Sequence, residues 1–418
     1  MKSATLLLSL LVAACGTQPA SPPAPPSTAL PATASPRSLG PSPSLSPSRL
    51  LAPGTQCGAT VAFGGQIVAP PLPSSTGRGN PPTWSAQAAA FAIESVAASP
   101  DGQLLAIAGA SDSSHTAQLW AADGSKLATL ADGGAVVTCL AWSPDGALLA
   151  GASRAGDVRL WDRHGQLVRI LHGTDPVFSL AWSPDGAVLA TGAIHFPAPT
   201  ATGLAPLPGV VRLWGRDGSL NRTLGTESTG GKFLNLAWSP DGSMLAAGAG
   251  DYNVWRADGT QVGVLRTGGT PAWAMVWSPD GRALAIGDES GVLQIVTPGG
   301  TMQSVSSFEG DVNAVSYSPD GASLAVGHDS IVSVVKATDG RTVLWSVAAV
   351  AAYTIWSIDG RKLLISAADG LALVGAGGAP SSTLTGCPGD VSAFSWDGAV
   401  VVAATDTGWL CSWRSPGP

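Results

Sequence analysis

Five residues, Trp-Ser-Pro-Asp-Gly, stand at 142–146 and again at 182–186, 238–242 and 277–281. Weaker copies flank them: ASPDG at 98–102, YSPDG at 317–321, WSIDG at 356–360 and FSWDG at 394–398. The closing glycines fall at 102, 146, 186, 242, 281, 321, 360 and 398, so the spacings are 44, 40, 56, 39, 40, 39 and 38. A unit repeated about every 40 residues is one supersecondary element that cannot bury its own apolar face. It becomes stable only by stacking on its neighbours.

Each unit reads as strands. In VFSLAWSPDGAVLATGA (177–193) an apolar run is followed by a turn and a second apolar run. Proline presets φ in that turn, aspartate tolerates the bridge region, and glycine supplies positive φ. GDVRLWD (156–162) then gives a third strand, and RHGQLVRIL (163–171) a turn and a fourth. Short strands with turns every 8–12 residues predict an all-β repeat. The 53 glycines and 33 prolines agree with many short elements.

The stretch LAWSPDGALLAGASRAGDVRLWD (140–162) resembles a WD40 repeat down to its terminal Trp-Asp; VVRLWG (210–215) and AQLW (117–120) are weaker copies. SPDG also occurs in the PD40 repeats of TolB-type propellers, but the VRLW continuation favours WD40. The resemblance covers about three quarters of the chain. It implies an eight-bladed β-propeller, with seven blades as the alternative, each blade carrying strands a to d from the axis outward. The family's Gly-His pair is missing from every repeat. Its b–c turn aspartate is present as Asp251, Asp329, Asp369 and Asp406 but replaced by Ala155 in blade 2. Cohesion is therefore expected from burial of Trp, Leu, Val and Ala between blades. The last repeat ends after its third strand, so residues 56–92 must close the ring, through either ATVAFGG (59–65) or TWSAQAA (83–89).

Ahead of the repeats lie Lys2 and an apolar run, Leu6–Ala14, too short to span a bilayer. The run ends in LVAAC, which resembles a bacterial lipobox. Residues 1–14 are expected to be a lipoprotein signal peptide, and Cys15 the lipidated residue. Residues 15–55, rich in Pro, Ser and Ala, cannot offset their ordering entropy and read as a tether. The propeller takes 56–418. An exported, lipid-anchored protein of a bacterial envelope follows as the expectation.

Little in the repeats suggests catalysis. The net charge of −7 and the thinly spread 21 Lys+Arg argue against nucleic acid as a partner. The SPDG aspartates read as turn formers on the outer rim of separate blades. Histidines 115, 164, 172, 195 and 328 read as solvated loop residues with no metal spacing. GTESTGGKF (225–233) misses the P-loop pattern. No cofactor is expected, and the expected function is non-catalytic binding of a protein or envelope ligand. The rivals are a channel-centred hydrolase, as in lactonase-type propellers, and a small-ligand or glycan sensor. Cys139 reads as a buried free thiol. One disulfide is expected at the ring closure, joining Cys411 to Cys57 or Cys387.

Binding is expected on the face with the b–c turns and the loops entering strand a. The SPDG face is too uniform for specificity. Phe178 and Trp273 open innermost strands there, and Trp409 begins a third strand. The blade 3 insertion (194–209) brings His195 and Phe196, and SVAAV (346–350) is an apolar loop.

Overall fold

The computed structural model describes residues 56–57, 80–89, 93–110, 115–130, 137–194, 209–225, 235–248, 251–266, 270, 272–349, 354–367, 370–396 and 400–414. The described elements are β-strands in eight antiparallel sheets. The innermost strands, a, are Ile93–Ala98, Val137–Trp142, Val177–Trp182, Asn235–Trp238, Ala272–Trp277, Val312–Tyr317, Thr354–Trp356 and Val391–Trp396. From blade 1 to blade 7 each lies beside the a strand of the next blade, blades 7 and 8 share an apolar cluster, and the eighth a strand lies beside the first, so eight blades form a closed ring.

The chain closes the ring with TWSAQAA. Trp84–Gln87 runs antiparallel to Trp409–Arg414, pairing Trp84 with Ser412, and supplies the outer strand of blade 8. Just before it, Asn80 bonds the outer strand of blade 7 through Thr383 and Thr385. The Trp84 indole reaches across to the Ala122 carbonyl of blade 1 at 2.8 Å. The alternative, 59–65, lies outside the described residues. Further upstream, Gln56–Cys57 pairs with Ala181 and Leu180 on the inner edge of blade 3. It neighbours the a strands of blades 2 and 4 as well, which sets this piece of chain in the central channel.

The eighth repeat is registered differently from its sequence alignment. FSWDG places Trp396 in the proline slot. The structure pairs Trp396 with Val401, as Trp182 pairs with Leu189 in blade 3. Trp396 therefore holds the tryptophan slot, and the connection to the next strand is two residues shorter.

Burial is organised by seam, one apolar cluster between each pair of adjacent blades. Between blades 2 and 3 it holds Leu160, Leu180, Leu189, Trp182 and Trp214; between blades 3 and 4, Trp238 and Trp255 with Leu213 and Leu245. Two recurring tryptophans thus meet in one seam, one from the motif and one from the end of strand c. Tryptophan buries about 150–250 Å² apiece, so these positions dominate cohesion. The motif indole also donates to the preceding a strand. Trp142 bonds the Ala97 carbonyl, Trp182 Ala141, Trp238 Ala181, Trp277 Ala237 and Trp356 Ser316, at 2.9–3.2 Å.

Candidate functional site

The two ends of the ring are built on opposite principles. At the SPDG end, one geometry is copied. In each of seven turns the serine hydroxyl donates to the aspartate Oδ1, as Ser183 does to Asp185 at 2.5 Å and Ser143 to Asp145 at 2.6 Å. The same Oδ1 accepts the backbone N–H two residues on, and the serine oxygen accepts the N–H five residues on. These bonds hold the Asp185 carboxyl below its usual range, the serine hydroxyl contributing most. Each proline ring packs over the glycine of the next blade's turn. A Cβ built on Gly186, whose φ is +68°, would come within 3.3 Å of Pro144. Each turn joins the innermost strand to the second strand of its blade, so the turns sit near the axis and touch, not on an outer rim as expected. Their carboxylates still do not converge: among the described residues no group of His, Cys, Asp or Glu could hold a metal. Two are bridged to the following blade, Asp101 to Arg163 at 2.8 Å and Asp145 to Arg216 at 2.6 Å.

At the other end, one position is varied. The register of strand a against strand b shifts by one residue near its start in six blades. The extra residue is Glu94, Thr138, Phe178, Trp273, Asn313 or Ser392. A bulge bends the strand and re-aims the residue it contains. Phe178 and Trp273 are thus equivalent positions, a relation their sequence neighbourhoods do not reveal. Phe178 is half-buried. Ser392 donates to the Ile93 carbonyl at 2.6 Å and so stitches blade 8 to blade 1.

The remaining expected contacts divide. Trp409 is half-buried and packs on the cluster between blades 7 and 8, with Leu410 and Trp413 following it in strand c. His195, Phe196 and the rest of the insertion to 208 lie outside the described residues, as does Cys15. The described part of SVAAV, 346–349, is no exposed apolar loop: Ser346–Ala348 ends the outer strand of blade 6, Val347 packs on the cluster toward blade 7, and Ala349 is buried.

Two further expectations fail. Cys139 is disulfide-bonded, not a free thiol. His328 is not a solvated loop residue. It ends strand b of blade 6, is buried, and bonds Ser333 and the Glu309 carbonyl. Cys387 and Cys411 are joined, tying the loop that enters blade 8 to that blade's third strand. Sequence reading also missed Asp175, whose carboxylate meets the Arg212 guanidinium at 2.6 Å with both side chains largely buried. The signal was an aspartate just before strand a of a blade whose third strand carries an arginine.

Four stretches, 124–162, 165–194, 218–255 and 302–346, match the WD domain, G-beta repeat family. No curated protein matches the chain. Among solved structures, Sqt1 from Chaetomium thermophilum is 16% identical with a TM-score of 0.67, over 80% of this chain and 99% of that one. Sqt1 from Saccharomyces cerevisiae is 16% identical with the same TM-score, over 81% and 99%. The computationally designed Ika8 protein is 18% identical with a TM-score of 0.63, over 81% and 100%. The repeats and the ring together define an eight-bladed β-propeller with WD40-like repeats.

Proposed function

We propose that this propeller is a non-catalytic platform that holds a protein partner on the bulged end of the ring. The observation that carries the reading is the contrast between the ends. Evolution of specificity needs positions that vary on a fixed scaffold, and the six bulge residues are chemically different at one equivalent position. The SPDG end offers seven near-identical turns instead. A crystal structure of Chaetomium thermophilum Sqt1 holds the N-terminus of the ribosomal protein L10, so a propeller of similar fold receives a protein segment. The channel-centred hydrolase is disfavoured by Gln56–Cys57, which occupies the inner edge of blade 3 where such a site would open.

The platform is proposed to be exported and anchored through a lipid on Cys15, with residues 15–55 as its tether in a bacterial envelope. The lipobox-like LVAAC supports this. Cys15→Ala is expected to release a folded protein from membranes; retention in high salt would refute the anchor. For the face, Phe178→Ala, Trp273→Ala and a 195–208 deletion are compared with Asp145→Asn and Asp185→Asn in crosslinking to envelope extract. Loss of the same crosslinked species only in the first set supports the bulged end. Loss only in the second set places binding on the SPDG end.

A further inference from the structure

The seam between blades 5 and 6 departs from the pattern. Its motif position is Tyr317 and its strand c position is Val335, so its buried cluster contains no tryptophan. No indole bond crosses it. The outer strand of blade 5, Met302–Ser307, turns Ser304 and Ser306 inward, where the blade 2 strand turns Leu171. A cleft of about 580 Å³ remains there, a size typical of small-ligand sites.

Its polar groups are ordered along the seam. At one end the Arg341 guanidinium is fixed by its Nε, which donates to the Val305 carbonyl at 2.7 Å. At the other end stands Glu309, four residues further along the chain, or roughly 13 Å at an extended rise of ~3.3 Å per residue. Negative charge accumulates beside that end: burial raises the Glu289 carboxyl, and the charges of Asp311 and Asp288 raise it further. Between the ends runs a hydrogen-bond chain. His328 Nδ1 donates to the Glu309 carbonyl at 3.1 Å, and in the neutral imidazole Nε2 then accepts from Ser333 at 2.9 Å. The Ser333 oxygen lies 2.9 Å from that of Ser346 and accepts its proton. The exposed Ser346 is left presenting lone pairs to the cleft. Ser306, also lining it, has a buried hydroxyl with no partner. Phe308 and Val343 supply apolar walls.

A carboxylate receptor at one end, an ammonium receptor at the other, an N–H acceptor between them and apolar walls match one chemistry. We propose that this cleft binds a free, extended peptide of about four residues, its carboxylate on Arg341 and its amine toward Glu309. The site is independent of the bulged end and stands or falls without it.

The test titrates the full chain by calorimetry with the tetrapeptide Val-Ser-Val-Val at millimolar concentration. Its C-amide, its N-acetyl form and the doubly capped form are the comparison arms. The free peptide is expected to bind, each single cap to weaken it at least tenfold, and Arg341→Gln to weaken the free peptide tenfold while leaving the C-amide unchanged. Ser346→Trp, which fills the cleft from an exposed position, should abolish binding, whereas Asp359→Asn on the SPDG end should not. Thermal unfolding of each variant reports that it is folded. No binding of the free peptide overturns the proposal. So does equal binding of the doubly capped form, which would point to internal protein segments, or undiminished binding by folded Arg341→Gln.

Discussion

The seam between blades 2 and 3 and the seam between blades 5 and 6 join the same units with opposite means. In the first, Trp182 and Trp214 fill the space, an indole bonds Ala141, and Arg216 spans to Asp145. In the second, Tyr317 and Val335 take those two positions, and Ala337 stands where Arg216 does, leaving Asp280 without a bridge from the neighbouring blade. A ring is closed by every seam at once, so one loosely filled seam can persist if the other seven hold. The difference shows that the repeats share a fold without sharing the work of cohesion.

Removing the large side chain from each seam should expose that inequality first. Trp182→Ala deletes a fully buried indole and its hydrogen bond, and a cost of about 3–5 kcal/mol is expected. Tyr317→Ala, from a half-buried position, is expected to cost ~2 kcal/mol. Urea unfolding midpoints of the two variants measure the gap; equal losses would mean the seams are energetically alike.

The Asp175–Arg212 pair adds to the well-filled side. Asp175→Ala strands a guanidinium that is 15% exposed and whose Nη1 already has no partner. A loss of about 3 kcal/mol is expected, near the lower end for an orphaned buried charge. Arg212→Met with Asp175→Ala should recover part of it. A double variant no better than the single one would show that the aspartate matters through its other contacts.

Most of the ring was legible because its period is written in residues whose roles are local. Serine, aspartate and glycine make a turn whose bonds span five residues, and tryptophan and proline reach only the adjacent blade. What the sequence concealed is relational. FSWDG looks like a degraded turn, yet Trp396 ends strand a in the tryptophan slot, two residues from the proline slot where the alignment places it, because pairing follows side-chain burial and not letters. The bulges at Phe178 and Trp273 arise from inter-strand register, which no single strand encodes. His328 looked like a loop residue until the next strand placed Ser333 beside it. The disulfide at Cys139 was hidden because a cysteine in an apolar strand packs like any small apolar residue.

Restoring the missing indole would narrow the comparison. In Tyr317→Trp the new Nε1 is expected to meet the Val276 carbonyl, the equivalent of Ala141 beside Trp182. A gain of about 0.5–1.5 kcal/mol follows for one added hydrogen bond. If it destabilises instead, the seam is already packed to its capacity and Tyr317 fits it better than tryptophan would.

Acid should erase the smallest difference, that between bridged and unbridged SPDG turns. Asp101 is held down to about 2, first by the Ser99 hydroxyl, with Arg163 and a backbone N–H adding to it. Asp185, Asp320 and Asp359 are lowered by the same serine and backbone bonds without an arginine from the next blade. A folded carboxyl that titrates below its unfolded value of about 4 favours the folded state while ionised. That contribution is complete above pH 4 and disappears as pH falls through the folded value. Stability should therefore decline between about pH 4 and pH 2. Asp101 is well exposed, so Arg163→Gln is expected to change stability at pH 7 by less than ~1 kcal/mol. Its effect should lie in the pH profile: the acid decline becomes smaller and ends at a slightly higher pH, and added salt mimics it in the wild type. Ser183→Ala, which removes the hydroxyl from an unbridged turn, should move the profile further than Arg163→Gln does. If the arginine variant moves it more, the cross-blade bridge and not the turn's own hydrogen bond governs these carboxylates.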